Sequence, residues 1–212
     1  MGGFFTAAVH PPQDTPAGPW RPLRSVFQDP TPLDDRVEFA RLTLQAGGRS
    51  VPTRVAASVV QLGVLARILA PALAATALRL GPLALDADAL WWQDDLGGVY
   101  PLSVTSGSEI CLTGGVITEL TALFRQRYGV PPRTLWGNVG SAANGAARQL
   151  ARLRPNLGGV AHLAANAVLG DPRVDGGRLC AGPDFRRRSC CLIYQAAGSR
   201  VTVCGDCVLR PP

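Results

Sequence analysis

The run TRVAASVVQLGVLARILAPALAATALRL, Thr53 to Leu80, decides how the rest of this chain is read. It is apolar and about long enough to cross a bilayer. Yet Gln61 and Arg67 sit near its middle and Pro71 interrupts it. Ionisable and amide side chains at that depth call for protein partners rather than lipid. We therefore read Val55 to Leu78 as a buried or half-buried helix pair. Thr53 serves as N-cap, and Pro71 starts or kinks a second helix that ends near Leu80. This places the chain among proteins built around a central helical element, with at most peripheral membrane association.

Composition agrees. A chain of 212 residues with 47% hydrophobic content can bury a sizeable core as one main domain plus a small appendage. A charged fraction of 17% at this apolarity excludes a disordered chain. All 21 basic residues are arginine, giving a net charge of +6. They are scattered from Arg21 to Arg210 with no nucleic-acid motif, so we expect no nucleic-acid partner.

Upstream of the central run, residues 1–30 read as an irregular, proline-rich lead-in, and Asp34 to Leu44 as a first helix or strand. MGGFFTAAVHPP has neither a basic n-region nor a long apolar stretch, which argues against a signal peptide and for a reduced, cytoplasmic protein. Downstream, ALWWQ and GVYPLSV flank Asp94-Asp95-Leu96-Gly97-Gly98 and read as a β-hairpin with Trp91, Trp92 and Tyr100 at its centre. Thr113 to Tyr128 is helical, with Val116, Leu120, Leu123 and Arg127 on one face and Ile117 and Phe124 beside it; Gly129 stops it. Two more helices follow, about Arg133 to Leu153 and about Leu157 to Leu169, then a glycine-containing linker from Pro172 to Phe185. The fold class is α+β: a mainly helical domain with a β-hairpin unit, and a small cysteine-rich C-terminal β-hairpin module. The expected divisions are 1–30, 31–172 and 173–212.

Chemistry concentrates in the tail, RRRSCCLIYQAAGSRVTVCGDCVL. Cys190, Cys191, Cys204 and Cys207 form the pattern C-C-x12-C-x2-C. Four thiolates in one place can hold an iron–sulfur cluster or a tetrahedral metal. CGDC sets two sulfurs about one turn apart, as in both kinds of site. Adjacent cysteines in a strand point to opposite faces, so Cys190 and Cys191 reach one centre only where the backbone bends, or by binding different atoms of a polynuclear cluster. The pair thus leans towards 2Fe-2S, while a zinc ribbon and disulfides stay open on spacing alone.

This tail resembles the C-terminal 2Fe-2S module of FhuF-type ferric siderophore reductases, in which ten residues rather than twelve separate the cysteine pairs. LWGNVGSAANGAARQL, Leu135 to Leu150, resembles a second stretch of that family, as do the Thr53 run and the LWW hairpin. A two-residue insertion preserves the alternation of side chains along a strand. The resemblance implies a 2Fe-2S cofactor on Cys190, Cys191, Cys204 and Cys207. It implies reduction of Fe(III) in a siderophore chelate, releasing Fe(II). Hard oxygen donors hold Fe(III) far more tightly than Fe(II), so one electron loosens the chelate. No phosphate loop, dinucleotide fingerprint or nucleophile elbow is present, so electrons arrive from a partner such as a ferredoxin or flavoprotein. The alternative is a structural zinc-binding or cluster-sensing interaction module without reductase activity.

Around the cysteines, Arg186, Arg187 and Arg188 are candidates for contacting an anionic chelate or an acidic donor, or for a solvated basic turn. Gly137, Gly140, Asn144 and Ala147 make a face of close backbone approach, serving either helix packing or a wall against the cysteine module. Trp136 and Asn138 are candidates to line it, with Asn138 donating to a sulfur or a chelate oxygen. Trp91, Trp92 and His162 read as packing residues, His10 as inert, and Cys111 and Cys180 as small buried or loop residues, with Cys180 a spare ligand at most.

Overall fold

The computed structural model describes residues 3–45, 48–96, 98, 101–107, 111–197 and 204–209. The central run is one helix, not two. Strands β1 (Ala8–Val9) and β2 (Arg21–Pro22) and a helical turn α1 (Ser25–Gln28) precede helix α2 (Thr31–Gln45) and the long helix α3 (Thr53–Ala77). Pro71 lies inside α3 without ending it. Proline forfeits its own N–H bond and crowds the preceding turn. Here the flanking Ile68, Leu69, Ala70, Ala72 and Leu73 are all buried, and that packing outweighs the lost bond. The N-cap is Pro52, without a side-chain cap bond, so Thr53 does not cap the helix.

α3 meets the length and hydropathy of a membrane span, but 78% of its apolar window is buried inside the protein. Its main neighbour is α5 (Pro132–Leu153), which also packs on α6 (Gly158–Leu169), while α2 lies against the other side of α3. α4 (Gly115–Tyr128) completes the core with Val116, Ile117, Leu120 and Phe124 buried. Leu123 is only partly buried, and Arg127 faces out to pair with Asp34 of α2. Gly129 ends α4 with φ 64°, a left-handed cap that favours glycine.

The Trp hairpin is present. β3 (Trp91–Trp92) and β4 (Leu102–Val104) run antiparallel, with Trp92 opposite Leu102. Gly97, Val99 and Tyr100 of its turn side lie outside the described residues. The hairpin does not stand alone, however. β1 adds parallel to β4 and β2 antiparallel to β3, giving a four-stranded mixed sheet in the order β1-β4-β3-β2. The lead-in is therefore not irregular throughout. It supplies two strands, and Phe5, Leu23 and Val26 reach the core. His10 is not idle: its Nδ1 lies 2.8 Å from Ser103 Oγ in a buried pair that fixes β1 to β4, and burial pushes its pKa down.

The α+β class holds. The C-terminal β-hairpin is only partly covered. Its first limb contains a single helical turn, α7 (Tyr194–Ala197), instead of a strand, because Leu192 adopts φ 70° directly after the cysteine pair and ends any extended run. The expected return strand falls on residues 200–203, outside the described residues.

Candidate metal centre

Two segments carry the cysteines. Leu192 bends the chain after Cys190-Cys191, and its N–H points at Cys190 Sγ, 3.3 Å away. The second segment makes a tight turn at CGDC, with the Cys207 N–H donating to the Cys204 carbonyl at 3.1 Å and the Leu209 N–H pointing at Cys207 Sγ at 3.3 Å. Backbone N–H groups aimed at sulfur stabilise thiolates. The bend after an adjacent pair is what a shared centre requires.

The two segments meet. Cys191 Sγ and Cys204 Sγ stand 3.4 Å apart, far beyond the roughly 2.05 Å of a disulfide, and all four tail cysteines are free. Cys191 and Cys207 are buried; Cys190 and Cys204 are half-buried. The contact with Cys204 pulls Cys191 down, and the same contact together with burial pushes Cys204 up. Burial raises Cys190, with nearby cysteine charges adding and Arg187 opposing. Two ionised thiolates at the 3.4 Å spacing of Cys191 and Cys204 would repel one another, so ionising both calls for a neighbouring positive charge.

Four thiolates on one zinc would stand about 3.8 Å from each other. Cys191 and Cys204 approach that spacing. Yet among the described residues no three Cys, His, Asp or Glu side chains close on a single metal position. The donor set, four free thiols with backbone N–H groups turned towards two of them, fits a 2Fe-2S cluster.

Residues 187–209 match the family model described as FhuF 2Fe-2S C-terminal domain. The tail is similar to an FhuF-type 2Fe-2S domain. The match covers the tail and not the helical core, and comparison with curated proteins and with solved structures gives no match.

The FhuF-type tail sits on a polar spot in an otherwise apolar interior. Ser58 and Gln61, one turn apart on α3, face Asn138 of α5. Asn138 Nδ2 donates to the Ser58 carbonyl at 3.0 Å and to Gln61 Oε1 at 2.8 Å, and its Oδ1 accepts from Arg187 Nη1 at 2.8 Å. Ser58 Oγ in turn donates to the Cys191 carbonyl at 2.9 Å. Arg187 Nη2 also donates to the Thr134 carbonyl at 3.0 Å and to Ser189 Oγ at 3.2 Å, and its backbone N–H reaches the Asp206 carbonyl at 3.1 Å. These bonds tie α3, α5 and both cysteine segments together.

Two expectations are corrected here. Asn138 is fully buried and spends its amide on Ser58, Gln61 and Arg187, so it does not line an open wall or reach a sulfur. Arg187 is 1% exposed and does not face a docking partner. Arg186 and Arg188 are exposed. The small-residue face of α5 meets the tail and linker. A Cβ on Gly137 would fall 1.8 Å from Ser189 Oγ, and one on Gly140 would fall 2.8 Å from Val174. Asn144 Oδ1 accepts the Gly182 N–H at 2.9 Å.

Trp136 is half-buried at the edge of an open cleft of about 440 Å³, lined also by Arg133, Arg173, Asp175 and Arg188. The Arg173 guanidinium stacks 4.1 Å from the Trp136 ring and is held by Asp171. Arg133 donates to the Arg188 carbonyl at 3.0 Å, and the Arg188 N–H donates to Asp175 at 2.9 Å, so the cleft wall and the chain entering Cys190 are one structure. Cys111 and Cys180 are both exposed, Cys180 on the linker. Sequence reasoning missed Ser58, Gln61, Thr134, Ser189 and Arg133 as partners of the tail. Only Ser58 and Gln61 gave a signal: two polar groups three apart on a mostly apolar run.

Proposed function

We propose that this protein is a cytoplasmic iron–sulfur electron carrier that reduces Fe(III) held in a siderophore chelate, with Cys190, Cys191, Cys204 and Cys207 as cluster ligands. The observation that carries this reading is the match of residues 187–209 to an FhuF 2Fe-2S C-terminal domain, in which the free thiols of Cys191 and Cys204 stand 3.4 Å apart; a cleft lined by Arg133, Arg173 and Arg188 adjoins the tail. When bound, a 2Fe-2S cluster supplies one electron at a time. The chain's residues do the rest. The N–H groups of Leu192 and Leu209 stabilise ligand sulfurs. Helices α3 and α5 hold the tail through Ser58 and Asn138. Arg188, Arg133 and the Trp136 ring offer positive charge and a flat apolar face, which suit an anionic chelate with aromatic or hydroxamate-type donors. Arg186 adds charge on the same approach to the cysteines, where an acidic ferredoxin or a flavoprotein donor would dock.

Anaerobic purification followed by absorption spectroscopy and by iron and sulfide analysis tests the cofactor. We expect a brown protein with two irons and two sulfides that bleaches on reduction. Reoxidation of the reduced protein by a ferric chelate, followed by trapping of Fe(II), tests the activity. A colourless protein holding one zinc removes the reading.

A further inference from the structure

Arg187 carries a permanent positive charge into the protein interior. Its guanidinium partners are the Asn138 amide oxygen, the Thr134 carbonyl and the Ser189 hydroxyl, all neutral. Among the described residues no carboxylate pairs with it. The contrast with the surface is plain: Arg24, Arg41, Arg127 and Arg173 each have an Asp or Glu partner, although water would already solvate them. Asp206 offers Arg187 its backbone carbonyl at 3.1 Å, while its carboxylate stands 3.8 Å from Arg148 and acts on Arg187 only through space, without an ion-pair contact. A buried charge with no carboxylate in contact is costly, and proteins keep one only where something compensates it.

The position of Arg187 identifies the compensation. Its backbone bonds to the residue between Cys204 and Cys207. Its side chain reaches the Cys191 carbonyl through Asn138 and Ser58. Four thiolates and two sulfides outweigh two ferric ions, so an oxidised cluster here is net negative, and an arriving electron adds one more negative charge.

We propose that Arg187 is the internal counter-cation of the cluster and holds its reduction potential up, so that Asn138, Thr134 and Ser189 serve to aim a charge rather than to bind a substrate. This rests on the cofactor assignment above, but not on the chelate. Arg187 is a positioning and tuning residue, and it touches no reacting group of the substrate. Because it is shielded from solvent, its effect persists at high salt, whereas that of exposed Arg186 and Arg188 is screened.

The test is an optical redox titration of the loaded full-length protein at low and high salt. In R187Q we expect reduction to become at least tenfold less favourable, a fall of 59 mV for a one-electron couple, equally at both salt concentrations. R187K keeps the charge and should retain most of the potential. The double variant R186Q/R188Q should shift it less, with the shift shrinking in salt. Should R187Q fail to load, N138D decides: a carboxylate against Arg187 neutralises the charge in place and should lower the potential in the same direction. A potential in R187Q or N138D within twofold of wild type overturns the proposal, as does a fall in R187K as large as the tenfold expected for R187Q. A colourless wild type sinks the cofactor reading itself, which this titration distinguishes from failure of the tuning role.

Discussion

The two ends of the chain dock on the same central helix by different forces. At the N-terminal end, Phe5, Leu23 and Val26 enter the apolar core, and β1 and β2 extend the sheet. Each such side chain contributes about 1.5–3 kcal/mol. Arg67 of α3 then fastens the segment by donating to the carbonyls of Gly3, Phe4 and Thr6. At the C-terminal end, the buried side chains described after Phe185 are Arg187, Ser189, Cys191 and Cys207. The first end folds by apolar burial. The second is held by polar bonds around Arg187 and by the contact between the Cys191 and Cys204 thiols. Cofactor binding should therefore be a folding event for the tail and nearly invisible to the lead-in.

The sharpest way to break that contrast is Cys204→Ser. We expect complete loss of the visible cluster absorption and of chelate reduction, while the helical circular dichroism of the core persists. If the whole protein unfolds with the cysteine, the two ends are not independent.

Next in size is Gly137→Ala, which drives a methyl group into Ser189 and Arg187. Gly145, on the same helix, has open space around it, with no atom within 4 Å of an added Cβ. Ala in place of Gly inside a helix gains up to about 1 kcal/mol. Gly145→Ala should thus raise the melting temperature, whereas Gly137→Ala should cut cluster occupancy at least several-fold, with the core helices intact. Equal behaviour of the two variants would mean that α5 does not form the tail's seat.

These two glycines also mark how far the sequence could be read. Hydrophobic periodicity placed α4, α5 and α6, and it marked the run that forms α3 as helical; Asp34 to Leu44, which lies in α2, stayed open between helix and strand. The Trp hairpin followed from its turn residues. The small-residue face of α5 was visible, and one of its two readings, contact with the cysteine module, is what Gly137 makes. The spacing of the four cysteines left zinc and disulfides open beside an iron–sulfur cluster, and the resemblance to the FhuF-type tail narrowed the choice to 2Fe-2S. Periodicity could not show that two-residue strands at Ala8 and Arg21 would join the sheet, since so short a run has no pattern. Pro71 misled because local rules end helices at proline, whereas the burial of every residue from Arg67 to Ala75 carries the helix through. Arg187 was indistinguishable from Arg186 and Arg188 in a run of three. Only the fold sends the middle one inward and its neighbours outward, as alternation along an extended segment does.

Arg67→Ala probes the lead-in in the same spirit. Leaving three carbonyls without their buried donor should cost about 3 kcal/mol, seen in chemical denaturation, with cluster content unchanged. A loss of cluster there would show that the lead-in supports the tail.

The smallest effect belongs to the linker between the two regimes. Arg173 holds Asp171 down to a pKa of about 2, chiefly through its hydrogen bonds. A carboxylate depressed in the folded state adds stability above its ordinary value of 3.8, and that stability is lost as pH falls towards the folded value. Arg173 is substantially exposed, so the contribution is a few tenths to about 1 kcal/mol. Asp171→Asn should therefore lower stability slightly at neutral pH, and the gap to wild type should close between about pH 4 and about pH 2. Because Arg173 also stacks on Trp136, the same variant loosens one wall of the cleft without touching a cysteine. If chelate reduction slows while cluster content and potential stay fixed, the cleft acts in substrate docking; if only stability changes, the pair serves the linker alone.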